Sequence, residues 1–297
     1  TEEAKVETIT HISSVSHNGL DMMWYPFSAH FSERLTLLGG ESIYELEELL
    51  SLIKSMFDTN NHNPEILSRH NRSLSQQLLI GKEFKKTTCE VKFETYSSRY
   101  TLKRCFVGKH SVDARLFRQG TSVVYNGHDA IRVLGKMILP VIQTNERLFA
   151  NHSVIFSPLD NFSKRTLVSL ANHWLKMVNI TDSHFLIDSG GRWKIRGDLT
   201  RFQTSRRNSA MMPSIHNFLS KLAQAVVKKR TLGMTIPVLC SFDVNMLNDF
   251  ETLTVLDLVN TVCRDETIQL VVAVNREHID CDSIELISVP TQAIYET

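Results

Sequence analysis

The stretch that most constrains this chain lies near its start. The apolar run Leu35-Thr36-Leu37-Leu38 stops at Gly39-Gly40, and Leu46, Leu49, Leu50, Ile53 and Phe57 then recur on one face at helical spacing. A short apolar run followed by a glycine break and a 3.6-residue period predicts strand, turn and helix. Such a unit must bury its strand in a sheet and lay its helix against that sheet. The far end repeats the logic. Ile236–Cys240 reads as a buried strand, about 251–263 as a helix, Gln269–Val274 as a second buried strand and Ile284–Val289 as a short last one. Continuous apolar strands of this kind suit a parallel sheet covered on both faces.

The middle differs. Cys89, Val91 and Phe93 alternate with Glu90, Lys92 and Glu94; Tyr100, Leu102 and Phe106 follow a Ser-Ser turn, then Val123-Val124-Tyr125. Period-2 alternation predicts an antiparallel meander with one wet face. Residues 9–15 read as another short strand, 58–75 as a polar loop or short surface helix, and 129–149 as a helix interrupted at Pro140. Two amphipathic helices are expected around Leu167–Val178 and Ile215–Val226. Between them, Phe185 and Ile187 pair with Trp193 and Ile195 in a hairpin around Ser189-Gly190-Gly191. Prolines and Asn/Ser residues cluster at 140–165, which suggests two lobes, 1–150 and 151–297.

Composition narrows the function classes. With 297 residues, 42% hydrophobic and 22% charged, the chain can bury a sizeable core. A net charge of +1 gives no global pull toward nucleic acid or membrane. Five widely spaced cysteines with no C-x-x-C pair suit reduced thiols in a reducing compartment, and the opening TEEAKVETIT does not look like a secretory signal. The expectation is a cytoplasmic protein with no membrane span.

The order of elements resembles the head of a RecF/SMC-type ABC ATPase. The resemblance rests on Ile12–His17-Asn18-Gly19, on Phe31–Ser42 with its Gly39-Gly40, on the LIDSGGRWKIR hairpin, on Phe202–Asn208 at the place of a signature segment, and on the strand at Ile236–Cys240. It covers most of the chain as pattern and little of it as identical residues. It implies an α/β, two-lobed ABC-ATPase-head-like fold. The N-terminal lobe would hold the meander and a phosphate loop; in the C-terminal lobe helices would flank a mostly parallel sheet.

The departures from that family carry the functional reading. A phosphate loop needs glycines that let backbone N–H groups wrap phosphates, a lysine for the β/γ oxygens and a Ser/Thr hydroxyl for Mg²⁺. Aligned without gaps, Gly40 keeps its place, but the next glycine is Glu45, the lysine is Leu46 and the Ser/Thr is Glu47. Like charges at ~4 Å repel by several kcal/mol at an effective dielectric of about 20. Ser241 and Phe242 stand where the resemblance puts the Walker B Asp and catalytic Glu, with Asp243 one or two residues out of register. Asn245-Met246-Leu247-Asn248 resembles the following D-loop, Asn275-Arg276 lie where active heads place a histidine, and the signature segment lacks its glycine. The implied function is a non-catalytic, pseudo-ATPase accessory or scaffold subunit. It would work without nucleotide cofactor on an SMC/RecF-like ATPase partner in a DNA-associated complex, in bacterial DNA repair or anti-phage defence. Two alternatives stand beside it: a divergent ATPase using Asp243 and Arg276, and an unrelated α/β nucleic-acid-binding or interaction module.

Other chemistry is thin. The histidines show no H-E-x-x-H spacing; His278, Asp280, Cys281 and Asp282 read as a solvated turn rather than a metal site. Glu45, Glu47 and Glu48 also suit the positive end of a helix. Two basic clusters, Arg201/Arg206/Arg207 and Lys228/Lys229/Arg230, are candidate contacts to a nucleic-acid backbone. For the second, a helix C-terminus gives a simpler electrostatic account.

Overall fold

A computed structural model describes residues 9–18, 26–60, 62–63, 86–107, 110–138, 185–187, 193–195, 218, 222, 237–245 and 247–290. The chain divides into two compact units. One comprises Thr1–Phe31, Glu48–Gln143 and Pro290–Thr297, the other Ser32–Glu47 and Thr144–Val289. The linear cut at residue 150 therefore gives way to a discontinuous one. The early strand and its glycine turn, expected in the N-terminal lobe with the meander, group with the C-terminal strands instead. The reason is pairing: the strand Leu35–Gly39 hydrogen-bonds to the late strands on both sides.

The first unit is built on a six-stranded antiparallel sheet in the order β2-β1-β4-β5-β6-β7. Its strands are β1 (Ile9–His17), β2 (Phe27–His30), β4 (Lys86–Thr95), β5 (Arg99–Val107), β6 (His110–Arg118) and β7 (Val124–Asn126). Alternation separates the faces as the sequence predicts. Cys89, Val91 and Phe93 are fully buried, and Phe93 stacks on Tyr100 at 5.5 Å and meets Phe57 edge-on at 5.6 Å. On the other face Glu90 pairs with Lys103 at 2.9 Å and Glu94 with Arg99 at 3.0 Å, as directly opposed charges on a wet surface should. Helix α2 (Gly127–Ile138) adds Ala130, Ile131, Leu134 and Met137 to the buried side, at i, i+1, i+4 and i+7.

The second unit holds a four-stranded parallel sheet in the order β10-β11-β3-β12. Its strands are β3 (Leu35–Gly39), β10 (Pro237–Phe242), β11 (Gln269–Val274) and β12 (Glu285–Ser288). Every residue of β3 and β11 is buried, which explains their continuous apolar sequences. Alternate residues Leu35, Leu37, Val238, Cys240, Phe242, Leu270, Val272 and Val274 form one core with α3 (Asp249–Glu266), through Val255, Leu256, Val259, Val262 and Cys263. Phe218 and Leu222, both helical and four residues apart, belong to the same core. A hairpin of β8 (Phe185–Ile187) and β9 (Trp193–Ile195) has the predicted register, Phe185 opposite Ile195 and Ile187 opposite Trp193. The α/β class with a meander and a parallel sheet is thus as read from the sequence. Helix α1 (Ile43–Met56) leaves the end of β3, and the unit boundary falls within it. The helix expected around Leu167–Val178 lies outside the described residues. The strand β2 had no sequence signal beyond one apolar–polar alternation, Phe27 to His30.

Candidate functional site

In a parallel sheet the carboxyl ends of the strands gather loops and helix N-termini, and ligands bind there. In this chain that edge collects Gly39 and Gly40 from β3, Ser241 to Asp243 from β10, Asn275 and Arg276 from β11, and the first turns of α1 and α3. Apart from the start of α3, these are the residues singled out from the sequence. The fold brings them to one edge because β10, β11 and β3 are parallel neighbours in near-perfect register, with Phe242 opposite Val274 and Val274 opposite Gly39.

The connection from β3 to α1 is only Gly40, Glu41 and Ser42. A gapless phosphate loop would extend to Glu45; here Ile43 and Tyr44 are already helical. Two of the amides such a loop would offer, those of Gly40 and Leu46, are used internally. Gly40 N–H donates to the Val274 carbonyl at 3.3 Å, and Leu46 N–H donates to Ser42 C=O at 3.3 Å as an ordinary i to i−4 helix bond. Leu46, at the lysine position, is fully buried. Glu47, at the Ser/Thr position, accepts a hydrogen bond from the Ser241 hydroxyl at 2.8 Å. Glu45 is half-buried, so the two carboxylates do not present one face in common.

Gly39 has a packing reason of its own. A Cβ at this position would stand 2.6 Å from the Arg276 carbonyl oxygen and 2.9 Å from Leu286 Cδ1. Only a glycine lets β11 and β12 approach β3 that closely. The glycine therefore remains within the strand, its carbonyl accepting from Val289 N–H at 2.8 Å, rather than breaking it.

The other side of the edge is stitched by polar side chains. Phe242 is buried and stacks on Phe218 at 4.3 Å, nearly parallel. Asp243 is exposed; its carboxylate accepts from Asn275 Nδ2 at 2.8 Å and from Asn245 N–H at 3.0 Å. The Asn275 side-chain Oδ1 in turn accepts from Val244 N–H at 2.8 Å. Arg276 turns to the start of α3, donating to the Leu247 carbonyl at 2.9 Å and to the Asp249 carboxylate. A guanidinium beside a helix N-terminus opposes the macrodipole, and Asp249 offsets it. Asn248, within the D-loop-like segment, is the N-cap of α3 in a capping box. Its side chain accepts from Glu251 N–H at 2.8 Å, while Glu251 accepts from Asn248 N–H at 2.9 Å.

Sequence reasoning missed Asp249, the cap and the bridging role of Asn275. The cap had a signal, Asn followed three residues later by Glu before an apolar run. Asn275 had none, because its role arises from two loops meeting at neighbouring strand ends. Arg201, Arg206, Arg207, Lys228, Lys229 and Arg230, with the signature-like segment, lie outside the described residues. Among the described residues no group of three or more His, Cys, Asp or Glu could hold a metal ion. No helix among them is long and apolar enough to cross a membrane.

Fold and site together define an α/β protein whose parallel-sheet edge is closed by its own hydrogen bonds. No protein-family model matches the sequence, and no curated protein matches it. Among solved structures, the chain is similar to an SMC head bound to the C-winged helix domain of ScpA, at 10% identity and a TM-score of 0.46 over 90% of each chain. It is also similar to an SMC head domain from Thermotoga maritima, at 11% identity and a TM-score of 0.41 over 90% of this chain and 89% of that one.

Proposed function

We propose that this chain is a non-catalytic, pseudo-ATPase subunit whose head-like fold serves to dock onto an active SMC/RecF-like ATPase in a DNA-associated complex, in bacterial DNA repair or anti-phage defence. The observation that carries the non-catalytic reading is the three-residue link from β3 to α1. Its Gly40 amide is bonded to β11, the Leu46 amide is bonded within α1, and the Leu46 side chain is buried where a cation would be needed. A triphosphate brought there would meet Glu41 and Glu47, both exposed, with no ammonium at the Leu46 position to offset them. A head that keeps its sheet and loses its nucleotide chemistry retains surfaces for protein partners and no means of turnover. The biological setting follows from family resemblance alone.

Calorimetric titration with a non-hydrolysable ATP analogue and Mg²⁺ tests the reading; no binding below millimolar concentration is expected. The rival, a divergent ATPase built around Asp243, predicts micromolar Mg²⁺-dependent binding that Asp243→Asn abolishes. The docking half is tested separately: mixed with a purified SMC/RecF-like ATPase from the same source, the chain should co-elute with it at micromolar concentration. Independent elution would overturn the partner assignment.

A further inference from the structure

At one end of the meander two turns stand side by side. Residues 96–98 join β4 to β5, and residues 119–123 join β6 to β7. The strand ends between them are tied together: Tyr100 is opposite Arg118, and the Gln119 N–H donates to the Arg99 carbonyl at 2.8 Å. Between the turns runs an open groove of about 610 Å³, lined by Tyr96, Ser97, Arg99, Arg118, Gln119 and Thr121 with the residues beside them. That volume is within the range of ligand sites. Each turn is held by its own bonds. Thr95 N–H donates to the Ser98 carbonyl at 2.9 Å, and Ser98 N–H donates to the Thr95 hydroxyl at 3.1 Å. The Thr121 hydroxyl donates to the Arg118 carbonyl at 3.0 Å and accepts from Val123 N–H at 3.3 Å, while Gly120 takes the positive φ that the turn requires. The groove is therefore formed before any ligand arrives.

The lining says what kind of ligand fits. It carries two guanidiniums and one carboxylate, Glu94. Arg99 meets Glu94 through Nε at 3.0 Å, yet its side chain stays 69% exposed. Glu94 is offset by that pair, and His11 Nε2 lies 3.6 Å from its other oxygen. Apolar surface gathers beside these cations. Of the five exposed large hydrophobic residues among those described, three are at these turns: Tyr96, 65% exposed, with Val123 and Val124. The Val123 carbonyl accepts from Arg118 N–H at 3.3 Å, which sets the valines next to the groove. Single exposed apolar residues are ordinary, whereas three at the rim of a cationic groove mark a contact surface. An acidic peptide would need the arginines alone. A ligand that alternates phosphate with a flat π-face uses the arginines and the tyrosine together. A duplex hides the faces of its bases, so an aromatic at the tip of a turn stacks only on an unpaired one. We propose that the groove between these two turns binds single-stranded nucleic acid, with phosphates at Arg99 and Arg118 and a base on Tyr96. The site lies wholly within the first unit and does not rest on the non-catalytic reading of the parallel-sheet edge.

The test is fluorescence anisotropy of the intact chain with a labelled oligothymidylate of about twelve nucleotides, set against a duplex of the same length and an oligoglutamate peptide. The single strand should bind at low salt and weaken as salt rises. Tyr96→Ala should weaken it roughly fivefold to a hundredfold, the range for one stacked base, and Tyr96→Phe should restore it. Arg99→Gln should flatten the slope of log affinity against log salt by about 0.7, the share of one phosphate on a single strand. Both positions are exposed, so Tm of the unliganded variants serves as the folding control. No binding of oligothymidylate at low salt would overturn the proposal, as would tighter binding of the duplex or equal competition by oligoglutamate. Unchanged affinity in Tyr96→Ala would overturn it too, because any binding would then lie elsewhere on the chain.

Discussion

The carboxyl edge of the parallel sheet and the Arg104 cluster of the meander unit use polar groups in opposite ways. The edge is where an α/β fold would bind a ligand, yet its amides and carboxylates are matched to one another: Gly40 with Val274, Ser241 with Glu47, Asp243 with Asn275, Arg276 with Asp249. The cluster lies where a fold would place plain hydrophobic packing, yet it holds a guanidinium and an imidazole, Arg104 and His62, that meet at the Ser111 hydroxyl; Nη2 of the first and Nε2 of the second are buried with no hydrogen-bond partner among the described residues. Location in a fold therefore says less about which polar groups are matched than an atom-by-atom account of their partners does.

The comparison breaks most readily at Arg104. Arg104→Met should lower stability by about 3–5 kcal/mol, the range for removing one member of a buried charged network, because the carbonyls of Ser55, Met56 and Asp58 and the Ser111 hydroxyl lose their donor at once. Urea denaturation would read this as a drop in midpoint; a loss under 1 kcal/mol would mean the cluster is not structural. Next is an acid limb. Burial lowers the His17 pKa from 6.5 to about 4. The unfolded chain then binds more protons between those values, so this contribution is fully present above pH 6.5 and is lost as pH falls toward 4, up to about 3 kcal/mol. Substituting His17→Phe beside Phe27 should flatten that limb in a stability–pH series. On the edge, Gly39→Ala should cost about 1–3 kcal/mol through the close approach of the Arg276 carbonyl. Chemical denaturation of this variant without nucleotide separates packing from ligand binding. Smallest, Asn248→Ala should cost about 1 kcal/mol by removing the α3 cap, visible as a Tm decrease of a few degrees.

How much of this was legible depended on whether the cause was local. The β3 turn and α1 were readable because a glycine break and a helical period are properties of consecutive residues. The hairpin register at Phe185 and Ile195 followed from turn length. That β3 would pair with β11 and β12 rather than join the meander was not readable, since continuous apolar strands carry no label for their neighbours. At the edge, the wrong residue types at Glu45, Leu46 and Glu47 were plain, but the shortness of the link was not; α1 starts at Ile43, earlier than the apolar stripe begins. Arg104 went unread, although a charge at a core position of β5, between Leu102 and Phe106, breaches the alternation and marks a buried polar site.

The central claim concerns two backbone amides, and solution NMR reads them directly. With Mg²⁺-ATP added to millimolar concentration, the Gly40 and Leu46 amide resonances should stay where they are and exchange slowly with solvent, as protons held by Val274 and Ser42 would. Saturable shifts of those two signals at micromolar ATP would show the β3–α1 link opening to hold phosphates, and would contradict the account.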